Sequence, residues 1–300
     1  MQAILDDKHI YTFNPTMKPA LSIKAPETVV FTTIDAFGGQ ITSEETNLEG
    51  FDPTRINAAT GPVSVSRAEP GDTLVVHIQR IDLPNQGAIV TGKGLGVLGH
   101  GMANTAVKIL PIEGDDVCFN DLRLAVAPMI GVIGVSPERE TYPTRTAHRH
   151  GGNLDTKEIG EGSTVYLPVF QPGAMLAMGD VHAVMGDGEV CVSASEVSSQ
   201  VTVHITVITG QQLTWPVVET EDGFYILVSL PSLDEAILNA TTEAVTLLQR
   251  VLHLSFEEAY MLASLAVDIR ISQLVNPNKT AKAFIPKTLV GEGAFQRARV

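Results

Sequence analysis

The chain has 300 residues, 44% of them hydrophobic but only 5% aromatic, so aliphatic side chains must fill a core sufficient for one large domain or two interlocked ones. Its 20 basic residues against 34 acidic ones give a formal net charge of −14, which argues against nucleic acids, anionic membranes and polyanionic substrates as partners. Two cysteines, no basic leader before an apolar run and no apolar stretch of about 18 residues favour a soluble cytoplasmic protein without membrane spans.

Short strands separated by turns are predicted for most of residues 20–230. The alternation is clearest in SQVTVHITVITG, where Val201, Val203, Ile205 and Val207 share one face. Strands at this spacing favour a sandwich or barrel over βαβ winding. The candidate strands cover residues 27–37, 70–83, 162–170, 173–185, 188–197 and 199–210.

The pattern becomes helical after residue 230. Ser232 and Glu235 stand at capping-box spacing before an apolar face of helical period, and Ser255 and Glu258 repeat the signal. Residues 268–275 then look extended. We therefore predict a β-rich α+β fold with a β-sandwich or barrel body and a C-terminal α+β part. The predicted divisions are a body with the active site over 1–230, a helical α+β part over 231–290 and a tail over 291–300.

The segment GDVHAVMGDGEV, from Gly179 to Val190, concentrates groups that can bind metals or transfer protons. On a strand, Asp180 and His182 would face the same side because they are two residues apart. A turn at residues 186–188 would then return Glu189 to the vicinity of His182. Histidine and carboxylates are common zinc ligands. The alternative is a plain hairpin in which the Asp-Gly pair supplies the bend.

A second segment, HRHGGNLD, carries His150 and Asp155 on either side of two glycines. On a loop this spacing lets both groups converge on one point, and Asn153 offers an amide donor. The alternative is an exposed polar loop. Because the two segments lie about one strand pair apart, we expect them to form one cleft around a shared cation. Asp35, in TIDAFGG, either reaches a metal or positions water there, or simply caps a turn.

Three longer segments together resemble the acetamidase/formamidase family: RINAATGPVSVSRAEPGDTLVVHI, HGGNLDTK, and TVYLPVF followed by GAMLAMGDVHAVMGDGEVCVSASEV. The resemblance extends from about Phe13 to Pro286. It implies hydrolysis of short aliphatic amides to a carboxylate and ammonia, a fold containing a β-sandwich, a divalent metal, and oligomers built from dimers. The partners expected are a small neutral amide and further copies of this chain, as a homodimer or higher oligomer.

The positions that match the motifs of this family imply roles for individual residues. We expect a divalent metal, with zinc as our prediction, to be bound by His150, Asp155, Asp180 and His182. Glu189, or failing that Asp187, is the predicted acid and base, and Asn153 would stabilise a developing oxyanion or hold a ligand. Two departures from the family pattern, Asp35 in DAFGG and His100 in LGHGMAN, are predicted to border the substrate.

Two other functions fit the same residues. One is a non-catalytic β-sandwich that binds Ca²⁺ or carbohydrate, although one Trp and five Tyr give few aromatic platforms and histidine suits zinc better than calcium. The other is a hydrolase of another small C–N substrate, such as a carbamate or a urea derivative.

Overall fold

Strands form most of the regular structure in this computed structural model, which describes residues 1–46 and 50–298. The strands are β1 (Gln2–Ile4), β2 (His9–Ile10), β3 (Thr12–Phe13), β4 (Leu21–Lys24), β5 (Glu27–Thr33), β6 (Ala59–Ser66), β7 (Thr73–Asp82), β8 (Gln86–Thr91), β9 (Ala106–Glu113), β10 (Asp116–Phe119), β11 (Leu122–Ala125), β12 (Met129–Gly134), β13 (Tyr142–Pro143), β14 (Gly151–Asn153), β15 (Thr164–Pro168), β16 (Leu176–His182), β17 (Glu196–Val197), β18 (Ser199–Ile208), β19 (Val217–Glu219), β20 (Gly223–Leu230), β21 (Asp268–Gln273) and β22 (Lys279–Pro286). The helices are α1 (Leu233–Leu252), α2 (Phe256–Ala266), α3 (Lys287–Val290) and α4 (Ala294–Ala298).

Two large sheets carry almost all of these strands. The first runs β1-β5-β18-β7-β15-β19-β20-β22-β21, and the second runs β11-β10-β9-β8-β17-β16-β12-β14, with β6 pairing β16, β2 and β4 beside it. Val29 and Phe31 of the first sheet share one buried cluster with Val63, Ile130 and Met178 of the second. The main core therefore lies between two sheets, which confirms the predicted β-rich sandwich body.

The C-terminal helices begin where the capping boxes predicted. Ser232 accepts a hydrogen bond from the backbone of Glu235 at the start of α1, and Ser255 and Glu258 form a reciprocal capping box at the start of α2. The inner face of α1 packs in a second buried cluster with Phe224 of β20. None of the described helices is both long enough and apolar enough to cross a membrane.

The C-terminal part and the body share a sheet. Strand β22 pairs with β20 along eight residues, from Gly223 opposite Pro286 to Leu230 opposite Lys279. Residues after 230 therefore extend the first sheet, as well as covering it with helices. This pairing also brings the turn between β21 and β22 close to the functional residues of the second sheet.

One predicted strand is largely a loop. Of residues 188–197, only Glu196–Val197 form a strand, β17, and the residues between β16 and β17 form a loop. Glu189 and Val192 both adopt positive φ angles, of 44° and 94°, which break an extended strand. The loop is instead fixed to the other sheet, because the backbone N–H of Gly188 donates to Ser272 O and Leu274 N–H donates to Gly188 O.

Candidate active site

Strand β12 brings the two predicted segments together. It pairs with β14 on one side, with Val132 opposite Asn153, and with β16 on the other, with Met129 opposite His182. Asp155 follows β14 directly, and its backbone N–H reaches Gly131 O on β12. Two segments that are separate in sequence thus become neighbours across one strand.

Five acidic or imidazole side chains converge there, all of them buried. Ligand atoms of Asp155, Asp180 and His182 lie within 4.8 Å of one another, and so do those of His182, Glu189 and Glu196. We call these five residues the carboxylate cluster. His182 belongs to both triplets, so its imidazole sits at the centre of the cluster.

The absence of a side chain at Gly131 makes room for this arrangement. A Cβ atom at position 131 would lie 2.5 Å from Asp155 Oδ1 and 2.9 Å from Asp180 Oδ2. Contacts that short are not tolerated by packed atoms, so any other residue would displace the carboxylates. Glycine in the middle of a strand weakens the strand, and close approach of another group is a frequent reason for it.

The backbone of the cluster is held in unusual conformations. Asp155, Asp180 and Glu189 have φ angles of 40°, 55° and 44°, in the left-handed region that non-glycine residues seldom occupy. Each such residue costs on the order of 1–3 kcal/mol and persists only where its surroundings fix it. Three of them in one cluster indicate that the fold orients these carboxylates for a purpose beyond packing.

Two asparagines fix the outer oxygens of the aspartates. Asn276 Nδ2 donates to Asp155 Oδ2 at 2.6 Å, and Asn57 Nδ2 donates to Asp180 Oδ2 at 2.7 Å. The inner oxygens, Oδ1 of both aspartates, have no hydrogen-bond partner among the described residues. Each carboxylate is therefore anchored through one oxygen and presents the other to the interior of the cluster.

Several further buried atoms in the cluster lack a partner within the described part of the chain. They include Nδ1 of His182 and Oε2 of Glu189. Leaving a buried polar atom unpaired costs about 1–3 kcal/mol, so a set of them converging on one point needs an explanation. Oxygen and imidazole nitrogen are suitable donors for a divalent cation, and the cluster fits one.

Burial and mutual repulsion alter the acidity of these groups. Burial, reinforced by the charge on Asp180, raises the pKa of Asp155 to about 6. Burial also raises the pKa of Glu196 to about 7 and holds that of Glu189 well above its ordinary value, the latter with help from the Asp155 charge. Burial by itself would lower the pKa of His182. The nearby carboxylates of Glu196 and Asp180 have the larger effect and raise that pKa well above its usual range.

His150 lies elsewhere. It is buried against aromatic rings, stacked on Tyr142 at 4.8 Å between centroids and tilted against Phe13 at 5.1 Å. It lines a separate cavity of about 320 Å³, and it is not among the described residues whose ligand atoms converge. We call Tyr142, His148, His150 and Phe170 the aromatic pocket. Burial lowers the pKa of His150 to about 3, so its ring is neutral.

Asp187 is held in ion pairs outside the cluster. Lys282 Nζ lies 2.6 Å from its Oδ1, and Lys157 Nζ lies 3.1 Å from its Oδ2. Lys282 is itself fully buried and also pairs with Glu158 at 2.7 Å. The structure therefore places Asp187 as an anchor for the loop that carries Glu189.

The two residues expected to border substrate have different positions. Oδ1 of Asp35 accepts hydrogen bonds from the backbone of Phe37 at 2.9 Å and of Gly39 at 3.1 Å, so it caps the turn that presents Phe37. His100 is exposed in a short 3₁₀ turn, Gly99–Gly101. It is not among the described residues that line the cavity beside the carboxylate cluster.

That cavity, of about 700 Å³, gives access to the cluster. Asn153, Asp180, Glu189 and Glu196 contribute polar groups to its lining. Asn153 is buried, and its Oδ1 has no partner among the described residues. A small molecule entering the cavity would therefore meet an amide and three carboxyl groups of the cluster.

A model of the acetamidase/formamidase family matches residues 4–145 and 138–291 of the chain. The chain belongs to the acetamidase/formamidase family. Its structure is similar to that of a recombinant predicted acetamidase/formamidase from Thermoanaerobacter tengcongensis, with a TM-score of 0.93 and 43% identity over 96% of each chain. It is equally similar to an acetamidase from Bacillus halodurans, with a TM-score of 0.93 and 42% identity over 95% of this chain and 97% of that one.

A formamidase of Methylophilus methylotrophus is a more distant member of the family. It is 25% identical in an alignment 237 positions long that covers 59% of this chain and 58% of that protein. A curated relative from Schizosaccharomyces pombe is likewise matched over only 63% of its length. The chain therefore spans about three-fifths of these two family members.

Three members of the site were missed by sequence reasoning. Glu196 lies directly opposite His182 across the β16–β17 ladder, with its Oε2 at 3.1 Å from His182 Nε2. A glutamate inside the apolar run CVSASEV was the available signal for it, because a charged residue in a buried strand needs a partner. Asn57 and Asn276 are more than 100 residues from the aspartates they hold, and no local pattern marks them.

Proposed function

We propose that this protein is a metal-dependent hydrolase of short aliphatic amides, which it converts to the carboxylate and ammonia. The observation that carries the proposal is the convergence of Asp155, Asp180 and His182, whose ligand atoms lie within 4.8 Å of one another in a buried site beside a cavity. Membership of the acetamidase/formamidase family supports the choice of amides over other substrates.

Asp155, Asp180 and His182 are the residues that would hold the cation, each through an atom without a hydrogen-bond partner among the described residues. Two carboxylates and an imidazole suit zinc among the divalent ions. A cation held there would supply a Lewis acid for the amide carbonyl oxygen. We leave His150 out of this set because its ring faces Phe13 and Tyr142.

Glu189 is the residue we assign to proton transfer. Its Oε2 lacks a partner among the described residues, it lines the cavity, and burial raises its pKa, which makes its carboxylate a stronger base than an ordinary glutamate. As a base it accepts a proton from the attacking water, and as an acid it delivers that proton to the departing nitrogen. Asp187 is less suited because Lys282 and Lys157 already neutralise it.

Asn153 and Glu196 support this chemistry in different ways. The side-chain amide of Asn153 lines the cavity and can donate to an oxygen on which negative charge develops. Glu196 is committed to the protein, because its Oε1 accepts from the backbone of Ala194 at 2.8 Å and its Oε2 faces His182. It orients the imidazole, as carboxylates commonly do for metal-binding histidines.

Two other functions are less well supported. A Ca²⁺- or carbohydrate-binding module would present its site at the surface, whereas the carboxylate cluster is buried. Hydrolysis of a carbamate or a urea derivative would use the same groups, because those substrates also carry a carbonyl bonded to nitrogen. A panel containing acetamide, a carbamate and urea distinguishes the amide from its analogues by the rate of ammonia release.

The test begins with elemental analysis of the purified protein and an ammonia-release assay on formamide and acetamide. We expect about one divalent ion per chain, loss of activity on chelation and recovery when zinc or another divalent ion is returned. Full activity in metal-free protein would overturn the metal assignment. Absence of ammonia release from every amide, with the metal in place, would overturn the function.

We also propose that the protein is a homodimer or a higher oligomer. Helix α2 exposes large apolar side chains, among them Met261 and Leu265, the latter 84% exposed. Apolar groups grouped on one exposed helix face are typical of association surfaces. Light scattering at micromolar concentration measures the mass, and a monomer would contradict the proposal.

A further inference from the structure

The cavity beside the carboxylate cluster is much larger than formamide or acetamide. Its volume is about 700 Å³, whereas acetamide occupies on the order of 100 Å³, a few times the roughly 30 Å³ of a water molecule. Cavities of this size are typical of sites for larger organic ligands, which have volumes of about 300–1,000 Å³. A substrate of acetamide size would leave most of the space to solvent.

Part of the cavity lining is apolar and contiguous. Phe37, Ile41, Phe51 and Val90 line the cavity and pack together in one small cluster that is separate from the main core. We call these four residues the apolar wall. Leu95, from the glycine-rich loop, also lines the cavity and is 37% exposed. Covering apolar surface of this kind with an apolar group of a ligand lowers the free energy of binding.

The apolar wall is held in place by polar contacts behind it. Asp35 accepts from the backbone of Phe37 and Gly39, and Gln40 Nε2 donates to Phe37 O at 2.8 Å. Gly38 is required in this turn, because its φ is +65° and a Cβ there would lie 2.5 Å from Arg55 O. The ring of Phe37 is therefore presented by a preformed turn.

The apolar wall and the carboxylate cluster belong to one space. Asn57, which donates to Asp180, lines the cavity, and so does Ile56 beside it. The polar part of the lining contains the carboxyl groups of Asp180, Glu189 and Glu196 together with the basic Arg145 and Lys279. The apolar wall has no polar side chain to pair with a charged acyl group, and burying an unpaired charge there is costly. The groups that fit are neutral at one point and apolar beyond it.

We infer that the preferred substrate is a neutral primary amide with an apolar acyl group longer than acetyl, such as a straight chain of about five to eight carbons or a phenyl-substituted chain. This inference rests on the proposed amide hydrolysis. The acyl group is the part that contacts the apolar wall. In a primary amide the nitrogen carries no substituent and leaves as ammonia, so only the acyl group can be long enough to reach these residues.

The metal-loaded protein is assayed for ammonia release from formamide, acetamide, butanamide, hexanamide and succinamate. We expect kcat/KM for hexanamide to exceed that for acetamide at least about tenfold, because each methylene group buried on an apolar surface contributes about fourfold. Succinamate, which is similar in length to butanamide but anionic, is expected to be the poorest substrate of more than two carbons.

Variants of the apolar wall test whether it produces the preference. Phe37→Ala is expected to lower the ratio of kcat/KM for hexanamide to that for acetamide about tenfold. Leu95→Ser, on an exposed loop where folding is not at risk, is expected to lower the ratio about threefold. Leu238→Ala serves as the control, because this leucine is 65% exposed on α1 and is not among the described residues of the cavity.

The outcomes separate the inference from the function on which it rests. Cleavage of formamide and acetamide at rates equal to or above hexanamide would overturn the inference and leave amide hydrolysis intact. Cleavage of N-hexylacetamide, measured as release of hexylamine, in preference to hexanamide would overturn the acyl assignment. Failure to cleave any amide in the panel, with the metal bound, would overturn both.

Discussion

The carboxylate cluster and the aromatic pocket each contain a fully buried histidine, and the two environments have opposite effects on it. His182 has Glu196 at 3.1 Å and Asp180 at 3.6 Å, and these carboxylates raise its pKa well above the usual range. His150 is stacked on Tyr142 without carboxylates in hydrogen-bond contact among the described residues, and burial lowers its pKa to about 3. Both histidines come from segments that look metal-binding in sequence, so the neighbouring side chains decide which one can serve a cation.

Replacing each histidine in turn tests most directly which of the two binds the metal. We expect His182→Asn to lose the bound metal and to lower kcat/KM for acetamide by more than about 100-fold, since even partners behind metal ligands contribute about 10–100-fold. His150→Phe, which preserves a ring against Tyr142, should retain its metal. Elemental analysis and ammonia release measure both properties, and metal loss in His150→Phe would return that residue to the ligand set.

A second substitution tests the carboxylate we assign to proton transfer. Glu189→Gln removes the ionisable group but keeps its shape, so kcat should fall about 100-fold while metal content and melting temperature stay near those of the unmodified protein. Asp187→Asn weakens the ion pairs that anchor the same loop but leaves the Glu189 carboxyl in place, so it serves as the control for loop disturbance and should lower kcat less. Equal losses in the two variants would indicate that the loop, and not the Glu189 carboxyl, was disturbed.

A third substitution tests the space in which the cluster forms. Gly131→Ala places a methyl group where the Asp155 and Asp180 carboxylates lie, and we expect metal affinity to fall about tenfold or more. Gly101→Ala, where an added Cβ meets nothing within 4 Å, is the control. Metal titration of the apo proteins measures the difference, and unchanged affinity in Gly131→Ala would mean that the carboxylates do not need this space.

A smaller effect is expected from the pH dependence of stability. The folded pKa of His150 is about 3 against an ordinary value of 6.5, so below pH 6.5 the unfolded chain binds a proton that the folded chain refuses. Stability is therefore lost as the pH falls. Between about pH 7.5 and pH 5, the parent protein should lose about 2 kcal/mol more unfolding free energy than His150→Phe. Urea denaturation of both apo proteins at the two pH values measures this, and parallel losses would show that His150 is charged when folded.

Local patterns in the sequence accounted for much of the fold. Alternating residues marked β18, and the capping boxes at Ser232 and Ser255 marked the starts of both long helices. These patterns could not give the order of strands in the sheets, because pairing between β20 and β22 joins residues that are 49 to 63 positions apart in the chain. The loop at 188–195 was also missed, since Glu189 and Val192 adopt positive φ angles and Gly188 is hydrogen-bonded to Ser272 and Leu274, residues more than 80 positions away.

The candidate site divides along similar lines. The spacing of Asp180 and His182 predicted that they share one side of a strand, and both do lie in one cluster with Asp155. Asp180 nevertheless departs from regular strand geometry, with a φ angle of 55°. The aromatic surroundings of His150 could not be predicted from the sequence, because Phe13 lies far from it in the chain and contacts it only through tertiary packing. Sequence reasoning thus identified which groups have the right chemistry, while the fold decided which of them meet.

The hydrogen bond from Asn276 to Asp155 links the carboxylate cluster to a turn 121 residues later in the chain. During synthesis on a ribosome, the sandwich strands emerge long before the turn that carries Asn276. Until that turn arrives and β22 joins its sheet, Asp155 lacks its anchor. A nascent chain that has not yet reached Asn276 therefore lacks this anchor, and the proposed cation site is completed only after both sandwich sheets have most of their strands.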